Sequence, residues 1–326
     1  MQPIRWGIIG TGHIANKFAE DLTAMPEARL VAVGSRSKAA AESFGARWGA
    51  PHRHASYAAL AQDHEVDAVY VAVPHPFHAE YSLLCLEAGK AVLCEKPFAI
   101  NASQAGQVIR CARARKLLLM EGMWTRAFPI MARLRQLLAD GAVGRVQLLA
   151  ADFSFRCKFS PEGRLFNRAL GGGALLDVGI YPVSLASMIL GPPAQICSGA
   201  EMGASGVDYQ AAMIFHYQNG AAATLFAGLR ADSPGDAEII GETGSIQVHR
   251  VWWKPSRMTV TPAGGKSGHF DMPYPGNGFQ FEAAEFMNCL RQGRLESAIM
   301  PLDETLAIMK TLDAVRAPWG LRYPGE

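Results

Sequence analysis

The chain has 326 residues, more than a single hydrophobic core usually serves, so two domains are expected. Hydrophobic residues make up 49% and charged residues 18%, the balance of an ordinary globular protein, and a net charge of +2 gives no basis for binding nucleic acid or an anionic membrane. The six cysteines are scattered without a Cys-x-x-Cys, no apolar run of membrane-spanning length is read, and the first strand follows Met1 closely; the expectation is a cytoplasmic protein with reduced thiols, no signal peptide and no metal.

The first strand, Ile4–Ile9, runs into Gly10-x-Gly12-x-x-Ala15, and Ile14, Phe18 and Leu22 then recur at helical spacing. This strand–turn–helix context is what a dinucleotide fingerprint requires. The first glycine permits the tight turn, the second lets the backbone approach a pyrophosphate, and Ala15 allows close helix–strand packing. The turn and first helical residues, Gly10, Thr11, Gly12, His13 and Ile14, are therefore assigned to the cofactor.

A second strand, Leu30–Gly34, ends in Ser35-Arg36-Ser37-Lys38. An acid at this point would accept the 2′-hydroxyl of NAD; a guanidinium flanked by serines suits a 2′-phosphate instead. The cofactor expected is NADP(H), with Ser35 and Arg36 as its readers. A helix over Ala39–Trp48, a strand over Val66–Val73, a helix over His78–Ala88, the strand Ala91–Cys94, a helix over Ala102–Arg115 and the strand Leu117–Glu121 complete a doubly wound parallel sheet. Two loops leave the C-terminal ends of these strands. Pro74-His75-Pro76-Phe77-His78 is stiff enough to lie beside the nicotinamide ribose, so Pro74, His75 and His78 are placed on the cofactor side. Glu95-Lys96-Pro97 sets a lysine where the sheet opens into a cleft, positioned to hydrogen-bond a reacting oxygen.

After about residue 122 the pattern changes. A helix over Ile130–Ala139 precedes a long strand, Gln147–Phe155, and β-like runs follow at Gln210–Tyr217, Ala222–Ala227, Ala237–Gly241, Ser245–His249 and Met258–Thr261. Short turns such as Asn219-Gly220 join them as an antiparallel sheet. Helices are expected over Pro182–Ile189, Phe279–Gln292 and Leu302–Ala317. The reading is an N-terminal Rossmann domain (residues 1–122) and a C-terminal α+β domain (residues 123–326) with a large, mostly antiparallel open sheet.

Within the second part, Gly171-Gly-Gly-Ala-Leu-Leu-Asp177-Val-Gly-Ile-Tyr181-Pro182 places a carboxylate and a phenol four residues apart, on one face if the helix has already begun. A phenol in water titrates at about 10 and moves protons near neutrality only beside a cation, which Lys96 can supply.

The glycine turn, Glu95-Lys96-Pro97 and GGGALLDVGIYP together resemble the glucose–fructose oxidoreductase, inositol dehydrogenase and MocA family, matching in order and spacing along the whole chain. Most members carry histidine at the position of Tyr181. Tyrosine there, with Met120-Glu-Gly-Met-Trp-Thr-Arg126 and Arg164-Leu-Phe-Asn167, is similar to the dimeric dihydrodiol dehydrogenase branch, which includes NADP-dependent D-xylose dehydrogenases.

The resemblance implies Lys96 and Tyr181 as catalytic pair, Asp177 orienting substrate or tyrosine, and Glu95 and Lys96 beside the cofactor. It also implies that Trp124 and Phe155 line the substrate pocket and that an open sheet is used for a homodimer or homotetramer. Arg126, placed with the substrate residues, and Glu121 either border the cleft or serve as structural ion-pair partners. The activity implied is hydride transfer between NADP(H) and a secondary alcohol or carbonyl of a cyclic diol or sugar. Trans-dihydrodiol oxidation leads, aldose dehydrogenase or anhydroketose reductase is the alternative, and a non-catalytic NADP-responsive regulator is the reading from another class.

Overall fold

The computed structural model describes residues 2–326 and divides the chain into two compact units. One comprises Met1–Ala99, Ser103–Trp124 and Pro275–Leu306; the other comprises Ile100–Ala102, Thr125–Tyr274 and Ala307–Glu326.

In chain order the first stretch runs β1 (Ile4–Ile9), α1 (His13–Thr23), β2 (Ala28–Gly34), α2 (Lys38–Trp48), β3 (His52–His54), α3 (Tyr57–Ala61), β4 (Ala68–Val71), α4 (His78–Glu87), β5 (Ala91–Glu95), α5 (Ala102–Arg115) and β6 (Leu119–Gly122). The six strands pair in parallel in the order β3-β2-β1-β4-β5-β6. The order reverses between β1 and β4, which opens a crevice at the carboxyl ends of those strands. β3 and α3 are not among the elements expected from the sequence. Three residues, two of them histidine, carry no apolar alternation, and β3 is defined by pairing with Ala32–Gly34 of β2.

Trp6 of β1, Phe18 of α1 and Tyr70 of β4 form the aromatic centre of this unit: Phe18 stacks on Tyr70 at 3.7 Å and meets Trp6 edge-on at 5.6 Å. The remaining wall comes from far along the chain, after α6 (Pro129–Ala139), β7 (Val146–Ser154), α7 (Ile180–Leu190), β8 (Gln195–Met202), β9 (Asp208–His216), β10 (Ala222–Gly228), β11 (Ala237–Gly241), β12 (Gly244–Val248), β13 (Arg257–Pro262) and β14 (Gly268–Asp271). In α8 (Phe279–Arg291), Phe286 lies 5.1 Å from Trp6 and Phe279 lies 6.2 Å from Phe18. Buried Asp21 of α1 accepts the backbone N–H groups of Asn277 and Phe279, so a carboxylate sits at the start of α8, where the helix dipole favours it. This corrects the single boundary at residue 122. Pro275–Leu306 belongs with the N-terminal residues because the apolar face of α8 completes their core. The last helix is α9 (Leu302–Arg316).

The second unit is built on an eight-stranded sheet of order β14-β13-β12-β11-β7-β10-β9-β8. All pairs are antiparallel except β7 with β10. The sequence reading omits the two edge strands β8 and β14, whose residues are mostly exposed or half-buried and so lack a strong alternating pattern. Leu148 and Ile214 point from the sheet into solvent, 49% and 45% exposed. The helical run Arg168–Leu190, with mean hydropathy 1.6 over an 18-residue window, is long and apolar enough to cross a membrane by length and composition, a run the sequence reading did not pick out. In the fold 78% of that window is buried, and its apolarity is that of a helix packed in the core of the unit.

Candidate active site

In the first unit, the β1–α1 turn depends on Gly10 at φ +105°, where a Cβ would lie 2.3 Å from the carbonyl oxygen of Ala72. The space beside Gly12 is open: a Cβ there would meet no heavy atom within 4 Å. Gly12 starts α1 without a side-chain cap, and the first turn carries no acid, so the leading N–H groups are left for an anion. The turn forms one wall of a cleft of about 560 Å³; Ser35, Arg36 and Ser37 form another, with Tyr57 and Pro74 beside them. The residues present fit a phosphorylated dinucleotide.

At the far wall, Ser35 Oγ accepts Ser37 N–H and Ser37 Oγ accepts Ala40 N–H, which leaves each hydroxyl proton to be donated outward. Arg36 is exposed, with Tyr57 beside it on the cleft wall; burial raises the phenol's pKa while the Arg36 guanidinium pulls it the other way. Tyr57 is a residue the sequence did not reveal, because it stands on a five-residue helix without periodic signal. Behind it, His52 Nδ1 and His54 Nε2 lie 2.6 and 2.9 Å from Asp63 Oδ2. Among the described residues these three could hold a metal ion, but the distances are those of hydrogen bonds. Although burial opposes it, the bonds from His54 and His52 bring the Asp63 carboxyl down to about 2.

Several assigned cofactor contacts stand elsewhere. The His13 side chain lines a separate groove with Asn16, Lys17 and Trp48, while Ile14 packs against the core; both retain only their place at the helix start. His75 and His78 are 5% and 1% exposed, and both ring nitrogens of His78 face backbone carbonyls. Glu95 turns inward: its Oε1 accepts the Tyr70 hydroxyl and its Oε2 accepts the N–H of Lys96. Lys96 itself is half-buried at the exit of β5. Deeper still, the wholly buried Glu282 carboxyl is driven well above its usual pKa by burial, then by the charges of Glu95 and Asp21. Glu121 is wholly buried and accepts the Thr305 hydroxyl at 2.9 Å, a structural role. Trp124 stacks on Phe279 at 4.7 Å.

In the second unit, the triple glycine is a packing requirement as well as a turn: Gly173 has φ +119°, and a Cβ would lie 2.2 Å from Asp208 Oδ1. Buried Asp208 accepts Leu175 N–H at 2.6 Å at the start of the helical run, and burial pushes its carboxyl up to about 7. Residues Leu175–Gly179 form a π turn that passes directly into α7. Asp177 lies in the wide turn and Tyr181 in the first turn of α7, 5% and 6% exposed. Widened turns of this kind recur at functional sites.

Arg164 Nη1 donates to Asp177 Oδ1 at 2.6 Å. The Tyr181 ring lies 5.2 Å from Phe153, which stacks on Trp253 at 3.5 Å. Phe155, the expected wall residue, is one step removed, 6.2 Å from Phe153. Phe153, Trp253 and Arg164 are thus neighbours of the pair that residue-type reasoning did not select. Arg126 is 3% exposed, with Nε and Nη2 on the Ser184 hydroxyl and carbonyl; it holds α7 one turn beyond Tyr181.

An oxidoreductase family with an NAD-binding Rossmann fold matches residues 4–123, and a Gfo/Idh/MocA C-terminal domain matches residues 131–247. The chain is 35% identical to a mouse trans-1,2-dihydrobenzene-1,2-diol dehydrogenase, covering 99% of each sequence. It is 35% identical to a D-xylose 1-dehydrogenase (NADP(+)) of Hypocrea jecorina, covering 98% of this chain and 93% of that one. Among solved structures, a 3-ketoreductase from Actinomadura kijaniata in complex with NADP superposes with TM-score 0.87 at 29% identity, covering 97% and 98% of the two chains.

Proposed function

The chain belongs to the Gfo/Idh/MocA family of NAD(P)-dependent oxidoreductases, and from that premise we propose an NADP(H)-dependent dehydrogenase acting on a secondary alcohol, or its carbonyl, in a cyclic diol or sugar. The observation that carries the cofactor choice is Ser35-Arg36-Ser37 at the end of β2, where no carboxylate stands and Tyr57 lines the same cleft. Arg36 and the two serine hydroxyls would hold the 2′-phosphate, and the N–H groups at the start of α1 would receive the pyrophosphate. When bound, the nicotinamide accepts or supplies the hydride.

Lys96 and Tyr181 are the catalytic pair. In oxidation Tyr181, acting as the phenolate, takes the hydroxyl proton and becomes the phenol, while the ammonium of Lys96 stabilises charge on the reacting oxygen. In reduction Tyr181 returns the proton. Asp177, fixed by Arg164, orients the substrate hydroxyl or the phenol. The stacked rings of Phe153 and Trp253 offer a flat apolar surface suited to a planar diol or to the apolar face of a pyranose. Trans-dihydrodiol oxidation is the leading activity. Similarity to a xylose dehydrogenase supports aldose oxidation as the second reading. The exposed apolar residues on the open sheet support pairing of two copies through that face.

The test is a panel of trans-dihydrodiols, D-xylose, D-glucose and 1,5-anhydrofructose with NADP and NAD in both directions. Turnover is expected with NADP and at least one substrate. Lys96→Met and Tyr181→Phe each lower kcat by about 100-fold or more while NADPH binding changes little. Full activity in either variant would remove that residue from the pair.

A further inference from the structure

We propose that His78 is the positioning residue of the Lys96 turn, an imidazole that donates from both ring nitrogens and ties the end of β4 to the turn after β5. His78 opens α4 and is 1% exposed. Its Nδ1 lies 2.7 Å from the carbonyl oxygen of Pro97, and its Nε2 lies 2.8 Å from the carbonyl oxygen of Val73. A carbonyl only accepts. Both contacts are hydrogen bonds only if both nitrogens carry protons; a neutral ring would set a lone pair of one ring nitrogen against a carbonyl oxygen, at the buried Pro97 contact or at the part-buried Val73 contact. The distances are those of charge-assisted bonds. Burial and the N-terminal end of α4 both oppose a cation, and the two carbonyl acceptors are what favour it.

The two carbonyls belong to segments with different tasks. Val73 and Pro74 line the cleft assigned to the dinucleotide, and Pro97 directly follows Lys96. On the other side of the lysine, Glu95 is held by the Tyr70 hydroxyl and by the Lys96 N–H. Lys96 therefore leaves the sheet between two buried anchors, and His78 is the one that also reaches the cofactor-side strand. A displacement of about 1 Å at a catalytic group is enough to cost about 100-fold in rate, so a backbone tie of this kind has kinetic consequences. The consequence for turnover rests on the proposed role of Lys96; the tie itself does not.

The full chain labelled with ¹⁵N-histidine tests the protonation directly. Two slowly exchanging ring N–H signals are expected that disappear together in His78→Gln; a single ring N–H would overturn the tie. In kinetics, His78→Leu is expected to lower kcat by about 30-fold with NADPH affinity within about threefold, and His78→Gln, which keeps N–H donors, is expected to fall between it and the parent. In a Lys96→Ala background, His78→Leu should add no further loss in single-turnover rate. An additive loss there, or an effect confined to KM, would overturn the positioning role. The ring signals and NADPH titration require no substrate, so a failed search for turnover leaves the tie decided by those two measurements alone.

Discussion

Arg164 and Asp177 form an ion pair of unequal burial: the carboxylate is 8% exposed at its side chain and the guanidinium 47%, with 2.6 Å between Nη1 and Oδ1. Removing the exposed arginine leaves the buried Asp177 carboxylate without this partner. Arg164→Gln is expected to lower kcat/KM by about tenfold by freeing Asp177 to rotate, and Asp177→Asn by about 100-fold. The double variant should match Asp177→Asn alone. Steady-state kinetics on the best panel substrate provides the check, and strictly additive losses would mean that the arginine acts elsewhere.

Loss of a charge-assisted hydrogen bond costs about 1.5–3 kcal/mol, so Arg36→Ala should raise the KM for NADPH by roughly 10- to 100-fold. The KM for NADH should stay within about threefold, because the 2′-hydroxyl makes no matching demand on the guanidinium. Tyr57→Phe removes the phenolic oxygen beside Arg36 on the cleft wall and should produce a smaller shift in the same direction. Equal sensitivity of both cofactors to Arg36→Ala would contradict the reading.

Asp208 gives stability a pH dependence of unusual sign. Burial raises its carboxyl from 3.8 to about 7, so between those values the folded chain binds more protons than the unfolded chain. Stability must then fall as pH rises through that window, by a total on the order of a few kcal/mol. Asp208→Asn keeps an acceptor for Leu175 N–H, carries no charge, and should flatten the slope. Chemical denaturation at pH 5 and pH 8 is the measurement; an unchanged slope in the variant would assign the effect to other groups.

Asp21→Ala removes the carboxylate that accepts Asn277 and Phe279 N–H at the start of α8. A loss of about 2 kcal/mol is expected, at the high end for a helix cap because the site is buried. Urea unfolding would register it as a lower midpoint.

Ile214→Asp places a charge on the open face of the second sheet. If two copies pair there, the variant runs as a monomer in light scattering after gel filtration and keeps its fold by circular dichroism; an unchanged mass would place any contact between copies elsewhere.

Both sheets were legible where apolar residues repeat strongly. Ile4–Ile9, Ala91–Glu95 and Val146–Ser154 fall within a residue of their expected bounds. Edge elements were not, since β3 and β8 are fixed by backbone pairing rather than by buried side chains. In the site, the glycine turn, Arg36 and Lys96 could be read because each follows a recognisable strand. Glu95 and His78 could be located but their roles could not. Whether a polar side chain turns toward the cleft or into the protein depends on partners such as Tyr70 and the Pro97 carbonyl, which lie far away in sequence. Phe153 rather than Phe155 stands against Tyr181, a choice between two rings two residues apart that spacing alone does not make, and Phe155 lies just past the end of β7.

The return of Pro275–Leu306 to the first unit sets a schedule for synthesis. When the ribosome has released residues 1–124, Trp6 and Phe18 still lack Phe279 and Phe286, and the dinucleotide-binding unit waits through the making of the entire second sheet for its last wall. A fragment ending near residue 124 should therefore expose an aromatic surface and aggregate, and loss of the chain from Pro275 onward should damage the N-terminal fold as surely as a lesion within it.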